Sequence, residues 1–546
     1  MSDRANLIIQ RWNRLKTDRG MWLGHWDDLA RVMLTRRLGF VSDVQPGDQR
    51  LDNIFDGTAM QLAQGLANAI GGMVRPEGRS WLFIKTADEA DERTDEAKDW
   101  LADSEDRVRV ALDDPRSRFR QATGEVDLDL VILGTAIMWI GEVIGRRRLL
   151  FQSVHLGDGI PIFDETGNVE GVFRSRKLTV QQAVDRWGVE KLSEETQQKF
   201  NNKKIDEKID ILFAVLPRKG GQPDALIARN LPIMDLVIEV DPKHEIEEGG
   251  FAELPYIVPR WDTTSGEVYG RSPGMIALPD TNTAQAIGET MLVAGQRAAD
   301  PPLMAPSDAF IDAPNTYPGG LASYEADAVR DLGSRPIFPL ETGANFPLTR
   351  EIQNDTRDQI AGAFLRHILR LPTGGPQMTA TEVIQRNEEF IREIGPVFGR
   401  IEADYTAPMI ERVFNILLRA GALAPIPDVL SGRSVRFEYE SPVRRVREQS
   451  LAISARQWAM ELAEFEQIRP GALDNVNFDE LARFSAEALA LPHEIVVGRE
   501  AVEKIRAQRA ETERAQAEMA AVQQIAATAK DVGSTIKDIS QPERAQ

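Results

Sequence analysis

The chain contains no cysteine in its 546 residues. No disulfide can brace it and no thiolate can hold a metal, which suits a reducing compartment or a product assembled in one. Histidine is almost as scarce. His25, His155, His244, His367 and His493 are all there are. None has a second histidine four residues away, and His493-Glu lacks the second histidine of a zinc-protease helix. The sequence has no Gly-Lys pair, which removes the glycine-rich loop whose lysine reaches nucleotide phosphates. No apolar run approaches the ~18 residues that a membrane span needs, and Met1-Ser-Asp-Arg-Ala opens without the apolar centre of a signal peptide. We therefore expect no cofactor, no metal, no catalysis and no membrane partner.

Positive charge is in deficit. Lys and Arg number 65 against 85 Asp and Glu, a net charge of −20. Proteins that grip DNA as a whole are basic, because phosphates are held by Lys and Arg. This balance excludes that class. It fits an ordinary solvated surface, or one past which a polyanion slides without sticking. The length exceeds what one hydrophobic core supports, roughly 250–300 residues, so more than one packed unit is expected.

The opening 110 residues read as mostly helical: Trp12, Leu15, Trp22, Trp26, Leu29 and Met33 recur at helical spacing. Asp56 can cap a second helix over 58–73, and Pro76-Glu-Gly breaks it. A short strand starts at Trp81, and a charged helix covers 89–112. From 135 to 240 the texture turns to short strands. Asp164-Glu-Thr-Gly-Asn168 marks a hairpin between 160–163 and 169–173, a helix covers 180–187, and further strands fall at 208–216 and 236–240. Short connections make these pairs antiparallel, so the middle of the chain is α+β within a predominantly helical whole. Helices return at 276–299 and 348–370, separated by an irregular Pro- and Gly-rich stretch over 300–346. A third helix begins at Thr379, where Thr379-Ala-Thr-Glu382 has capping-box spacing, and reaches about 420 with an expected kink at Pro396. Beyond Pro442 the pattern is again helical. Met519, Val522, Ala526 and Ala529 keep a 3/4 spacing within an Ala-, Glu-, Gln- and Arg-rich helix.

Two motifs resemble catalytic ones. Gly270-Arg-Ser272-Pro273-Gly274 has the spacing of a nucleophile elbow, but that motif needs the backbone N–H after the serine as an oxyanion donor, and proline has none. The alternative is a tight turn that opens a helix, with Ser272 as cap and Pro273 in its first position. Asp127-Leu-Asp129 could pair carboxylates on a metal, yet acid–apolar alternation more often marks one buried and one wet face.

Five stretches, in order, resemble the head-to-tail connecting (portal) proteins of short-tailed, podovirus-type bacteriophages. They are Asp52-Asn-Ile-Phe-Asp-Gly-Thr-Ala59 with Pro76 and Trp81; Leu133-Gly-Thr-Ala-Ile-Met-Trp-Ile-Gly-Glu142; Trp261 through Gly274 and on to Asp300-Pro-Pro-Leu-Met304; Met378-Thr-Ala-Thr-Glu-Val383; and, more loosely because it is more charged here, Glu440-Ser-Pro-Val-Arg-Arg-Val-Arg-Glu-Gln449. The resemblance spans roughly 11–449. It implies a structural subunit of the virion, made in the host bacterial cytoplasm, that forms a twelvefold homo-oligomeric ring at one capsid vertex. Double-stranded DNA passes through such a ring at packaging and ejection, without sequence preference. Terminase, capsid or scaffold and tail adaptor proteins would dock on it.

On that resemblance the chain divides into an α+β wing (1–275), a first stem helix (276–299), a clip (300–346), a second stem helix (347–370), a tunnel loop (371–378), a long kinked helix with a return to the wing (379–440) and a helical crown with a C-terminal tail (441–546). The expected channel residues are Thr373, Gly374, Gly375 and Gln377 in the loop. Asp355, Gln359, Arg366 and Arg370 join them on the polar side of the second stem helix, opposite an apolar stripe of Ile360, Phe364 and Ile368. In Leu371-Pro-Thr-Gly-Gly-Pro-Gln377, glycines permit bending while prolines fix the ends. Gly270, Ser272, Pro273 and Gly274 form the turn that launches the first stem helix. The residues leave two other readings open: another virion adaptor or scaffold, and a metal-dependent nucleic-acid enzyme.

Overall fold

The computed structural model describes residues 3–300 except 38, 42–53, 77–80, 87–93, 144–147, 224 and 226, then 303–304, 338–339, 346–366, 395–430, 435–439, and 442–519 except 467–468, 470, 489–494, 499–500 and 517–518. The chain divides into two units, Met1–Val443 and Arg444–Gln546.

The first unit opens with helices α1 (Asp3–Asp18), α2 (Gly20–Met33) and α3 (Thr58–Val74). Strand β1 (Leu82–Thr86), α4 (Asp95–Asp113) and α5 (Phe119–Leu133) follow. Strands β2 (Ile137–Val143), β3 (Arg148–Val154), β4 (Gly159–Phe163) and β5 (Val169–Thr179) come next. Thr179 caps α6 (Val180–Trp187) with a complete capping box through Gln182. After α7 (Glu194–Asn201) come β6 (Lys208–Pro217), β7 (Ile233–Glu239), β8 (His244–Phe251) and the short β9 (Tyr256–Ile257).

Strands β4-β5-β6-β7-β8 form one antiparallel sheet in that order, and β3-β2-β9 form a second. Side chains alternate along the central strand β6. Leu212, Ala214 and Leu216 pack with Ile8, Ile9 and Trp12 of α1 on one face. Ile211 and Phe213 pack with Val180, Ala183 and Trp187 of α6 on the other. Both faces are covered, which is why β6 reads as a nearly continuous apolar run. The expected hairpin is present: Asp164 Oδ1 accepts the N–H groups of Thr166 and Asn168 at 2.9 and 2.8 Å between β4 and β5.

The largest core gathers α2, α3, α5, β2 and β3 around Trp26, Leu29, Ala63, Leu130 and Ile137. Helix α5 exposes Arg120, Gln121, Gly124 and Glu125 in its first half, but from Val126 to Leu133 it is buried almost throughout, which hides the amphipathic period there. It corrects one expectation: Asp127 and Asp129 share no wet face, and both are 2% exposed.

Two long helices follow, α8 (Pro273–Ala299) and α9 (Phe346–Ala363), and they pack on each other. Between them only β10 (Leu303–Met304) and β11 (Phe338–Pro339) are described, paired antiparallel. The expected helix over 348–370 is regular to Ala363. Leu365 takes a left-handed backbone (φ 55°), which ends the regular helix there. Residues 395–401 are helical and run into a π-turn at Glu402–Thr406, then α10 (Ala407–Arg419). The turn before Pro396, over which the expected kink would form, lies outside the described residues. Pro408, in the first turn of α10, has no N–H for the carbonyl four residues back and crowds it, which favours the wider turn at Glu402–Thr406. Strand β12 (Val435–Tyr439) returns to pair antiparallel with β1.

The second unit contains nearly all of α11 (Pro442–Glu466), then α12 (Phe478–Ala488) and a helical stretch over 501–516.

Candidate functional site

Two joints fix the roots of the paired helices. The first is backbone against backbone. Helix α5 ends at Gly134, whose φ of 78° is a left-handed C-cap that favours glycine. Its carbonyl accepts the Trp261 N–H at 2.9 Å, and the Gly270 N–H donates to Thr135 Oγ1 at 2.8 Å. A Cβ on Gly134 would stand 2.3 Å from the Gly270 carbonyl oxygen, and one on Gly270 would stand 2.3 Å from the Gly134 oxygen. Neither position has room for a side chain.

The turn then launches α8. Ser272 Oγ accepts the Met275 N–H at 3.0 Å as the N-cap, and donates to the Ile132 carbonyl at 2.7 Å. Pro273 occupies the first turn, where a missing N–H costs nothing. Gly274 lies against the same carbonyl; a Cβ there would come within 2.8 Å of Ile132 O. Ser272 is 1% exposed and its hydroxyl is committed at both ends, so it offers neither access nor a free proton for nucleophilic chemistry. Around the turn, Tyr269 meets Trp26 edge-on at 4.9 Å, and the Arg271 guanidinium lies 4.7 Å over Trp22 while pairing with Glu267.

The second joint centres on Asp56, a buried carboxylate just before α3. Its Oδ1 accepts the Thr58 N–H at 2.9 Å, so the expected cap is there, one residue before the Gly57 N-cap position. Its Oδ2 accepts from Arg357 Nε at 2.9 Å and from Gln353 Nε2 at 3.4 Å, both on α9. Gln285 of α8 closes the joint: Oε1 accepts the Phe55 and Asp56 N–H groups at 2.7 and 2.9 Å, and Nε2 donates to the Asp56 carbonyl at 2.6 Å. One aspartate therefore ties the start of α3 to both long helices. Burial pushes its pKa up, but the Thr58 and Arg357 hydrogen bonds outweigh it and hold the group below its ordinary value. The sequence signalled only the cap. Gln285, Gln353 and Arg357 lie too far along the chain to be linked to it by spacing.

Helix α9 has two distinct sides. Gln353, Thr356, Ile360 and Phe364 are buried, while Asp355 and Gln359 are exposed and Arg366 is half-exposed. Leu348 and Ile352 also lie open, 53% and 47% exposed, so the outer side is not purely polar. Arg370, Ile368, the loop residues Thr373, Gly374, Gly375 and Gln377, and the Thr379 capping box fall outside the described residues.

The two buried aspartates of α5 pair with different arginines, and Glu125 shares the second of them. Asp127 pairs with the buried Arg75, whose guanidinium also lies 5.1 Å over Tyr405. Asp129 meets Arg37 at 3.2 Å, and burial pushes its carboxyl up to about 7 against the pull of that arginine. Among the described residues, no group of three or more His, Cys, Asp or Glu could hold a metal ion.

The sequence matches the bacteriophage head to tail connecting protein family over residues 5–496. The chain belongs to that family. Among its relatives, the probable portal protein of Bordetella phage BPP-1 is 28% identical over 534 residues, covering 97% of this chain and 95% of that protein. The portal protein of Salmonella phage epsilon15 is 26% identical over 538 residues, with the same two shares. Head-to-tail connectors are structural, and the chain is a portal-type structural subunit rather than an enzyme. Both joints fall in segments that carried the resemblance in sequence: 52–59 supplies Asp56, 133–142 supplies Gly134, and 261–274 supplies Gly270 and Ser272.

Proposed function

We propose that twelve copies of this head-to-tail connector form a ring at one capsid vertex, with the paired helices α8 and α9 as its stem. Double-stranded DNA passes through the ring at packaging and at ejection. Residues 300–346 form the clip that meets terminase and tail adaptor proteins, 371–378 the loop that narrows the channel, and 441–546 the crown. The observation that carries the reading is the packed pair α8 and α9, rooted together on Asp56 and joined by more than forty residues of intervening chain. Leu292 and Val293 on α8 and Leu348 and Ile352 on α9 are exposed in the single chain; burial between neighbouring copies would account for them. Asp355, Gln359, Arg366 and Arg370 then face the lumen or a neighbour, and contacts from 373–377 reach phosphates rather than bases. A net charge of −20 keeps such contacts weak enough for sliding.

Sedimentation velocity tests this. The expected main species corresponds to twelve copies of the 60.8 kDa chain. A chain that stays monomeric across micromolar concentrations overturns it.

A further inference from the structure

Helix α11 carries an apolar seam that the described residues leave open. Leu451, Ala455, Trp458, Leu462 and Phe465 succeed one another at intervals of four, three, four and three residues, which puts them in one line along an α-helix in heptad spacing. Three of its large members are exposed, Leu451 by 54%, Trp458 by 48% and Phe465 by 56%, while Leu462 between them is half-buried. Ala452 and Ala459, about a quarter-turn away, are buried. The helix therefore already uses a neighbouring face, and the seam is a second one. No charged residue interrupts it.

We infer that this seam packs against the same unit of a second copy of the chain, side chains interlocking as in a coiled coil. The size of the seam decides the occupant. A large aromatic side chain buries about 150–250 Å² in full, so the half-exposed Trp458 and Phe465 contribute roughly 200 Å², and with Leu451 the total stays below roughly 300 Å². A standard stable interface takes about 800 Å² from each partner. The seam cannot hold two free chains together, nor capture a separate protein by itself. It fills when other contacts already set its partner alongside, as they do for adjacent identical chains in a ring, where effective concentrations reach the millimolar range. The inference rests on the ring reading above.

Photo-crosslinking tests it. A benzoylphenylalanine is placed at position 458, and in a control at position 457, which is exposed but off the seam. Irradiating assembled rings should give covalent dimers and higher multiples from 458, at least several-fold more than from 457. Position 451 gives a second seam probe if a change at Trp458 disturbs folding. Rings of full size with no inter-chain product from 458 or 451 overturn the seam and leave the ring reading standing. A chain that never assembles overturns both.

Discussion

Arg357 donates from Nε to Asp56 Oδ2 at 2.9 Å across 301 residues of chain. The same carboxylate caps the start of α3, and its backbone is held by Gln285 of α8. The start of α3 is thereby tied to both long helices at one residue, 5% exposed as a whole: its side chain holds α9 and its backbone holds α8. Backbone-to-backbone contact at Gly134 and Gly270 fixes the root of α8 independently. Both roots are built from groups that tolerate little change.

Removing the Asp56 carboxylate should therefore cost more than an ordinary cap. Asp56→Ala loses a cap worth about 1 kcal/mol and leaves a partly exposed arginine without its partner, for a total of roughly 2–3 kcal/mol. Urea denaturation should report that loss, and ring yield should fall. Asp56→Asn keeps an acceptor for Thr58 and should lose only about half as much, roughly 1–1.5 kcal/mol. The depressed pKa adds a pH arm: the stabilisation from this group is present above the unfolded carboxylate pKa and is lost as pH falls through the lower folded value. An Asp56→Ala protein as stable as the parent at neutral pH contradicts the clamp.

The glycine contact makes a sharper contrast. Gly270→Ala places a methyl group 2.3 Å from a backbone oxygen, and neither partner is a flexible side-chain tip. It should destabilise by about 3 kcal/mol or more and give little soluble protein. Gly65→Ala, on an exposed position of α3 with nothing within 4 Å, should be neutral or stabilising by up to about 1 kcal/mol. Thermal melts of the two variants side by side separate close approach from generic glycine loss.

How much of this was legible depended on how local the chemistry was. The start of α8 could be read because Ser272, Pro273 and Gly274 are adjacent and each has its own reason for that place. Helix α6 announced itself over the same residues it occupies. Helix α5 did not, because Asp127 and Asp129 look wet in sequence and are made tolerable in the core by Arg75 and Arg37 from distant segments. The Asp56 joint was hidden for the same reason: its cap is two residues away, and its other partners come from α8 and α9. The family-like stretches were visible as patterns, but which backbone atoms they bring together is a matter of tertiary structure.

Glu105 should make stability fall as pH rises toward and through neutrality. On α4 it accepts the Ile84 N–H of β1 at 2.7 Å, and burial pushes its carboxyl up to about 7. A folded-state pKa above the unfolded one means the folded chain binds the proton more tightly. Its stabilising contribution is full below the unfolded value and fades as pH rises through about 7. Glu105→Gln keeps an acceptor without the charge, so the variant should gain on the order of 2 kcal/mol relative to the parent at pH 8 and about nothing at pH 4. A difference between the two proteins that does not change with pH contradicts the assignment.

The loop over 371–378 gives a functional prediction. Deleting Thr373 to Pro376 should leave ring assembly intact while lowering the amount of DNA packaged or retained per particle. Electron microscopy of the purified variant and quantification of DNA in variant particles give the two readouts. Failure of the variant to assemble would mean that the loop is a structural hinge between helices and not a channel element.

The central claim is that this chain builds a ring with a channel. Negative-stain images of the purified protein, sorted into end-on class averages, test it most directly. The expected images are twelvefold rings around an open centre, with side views showing a narrower stem. Uniform single-subunit particles at concentrations where the protein remains folded would contradict it.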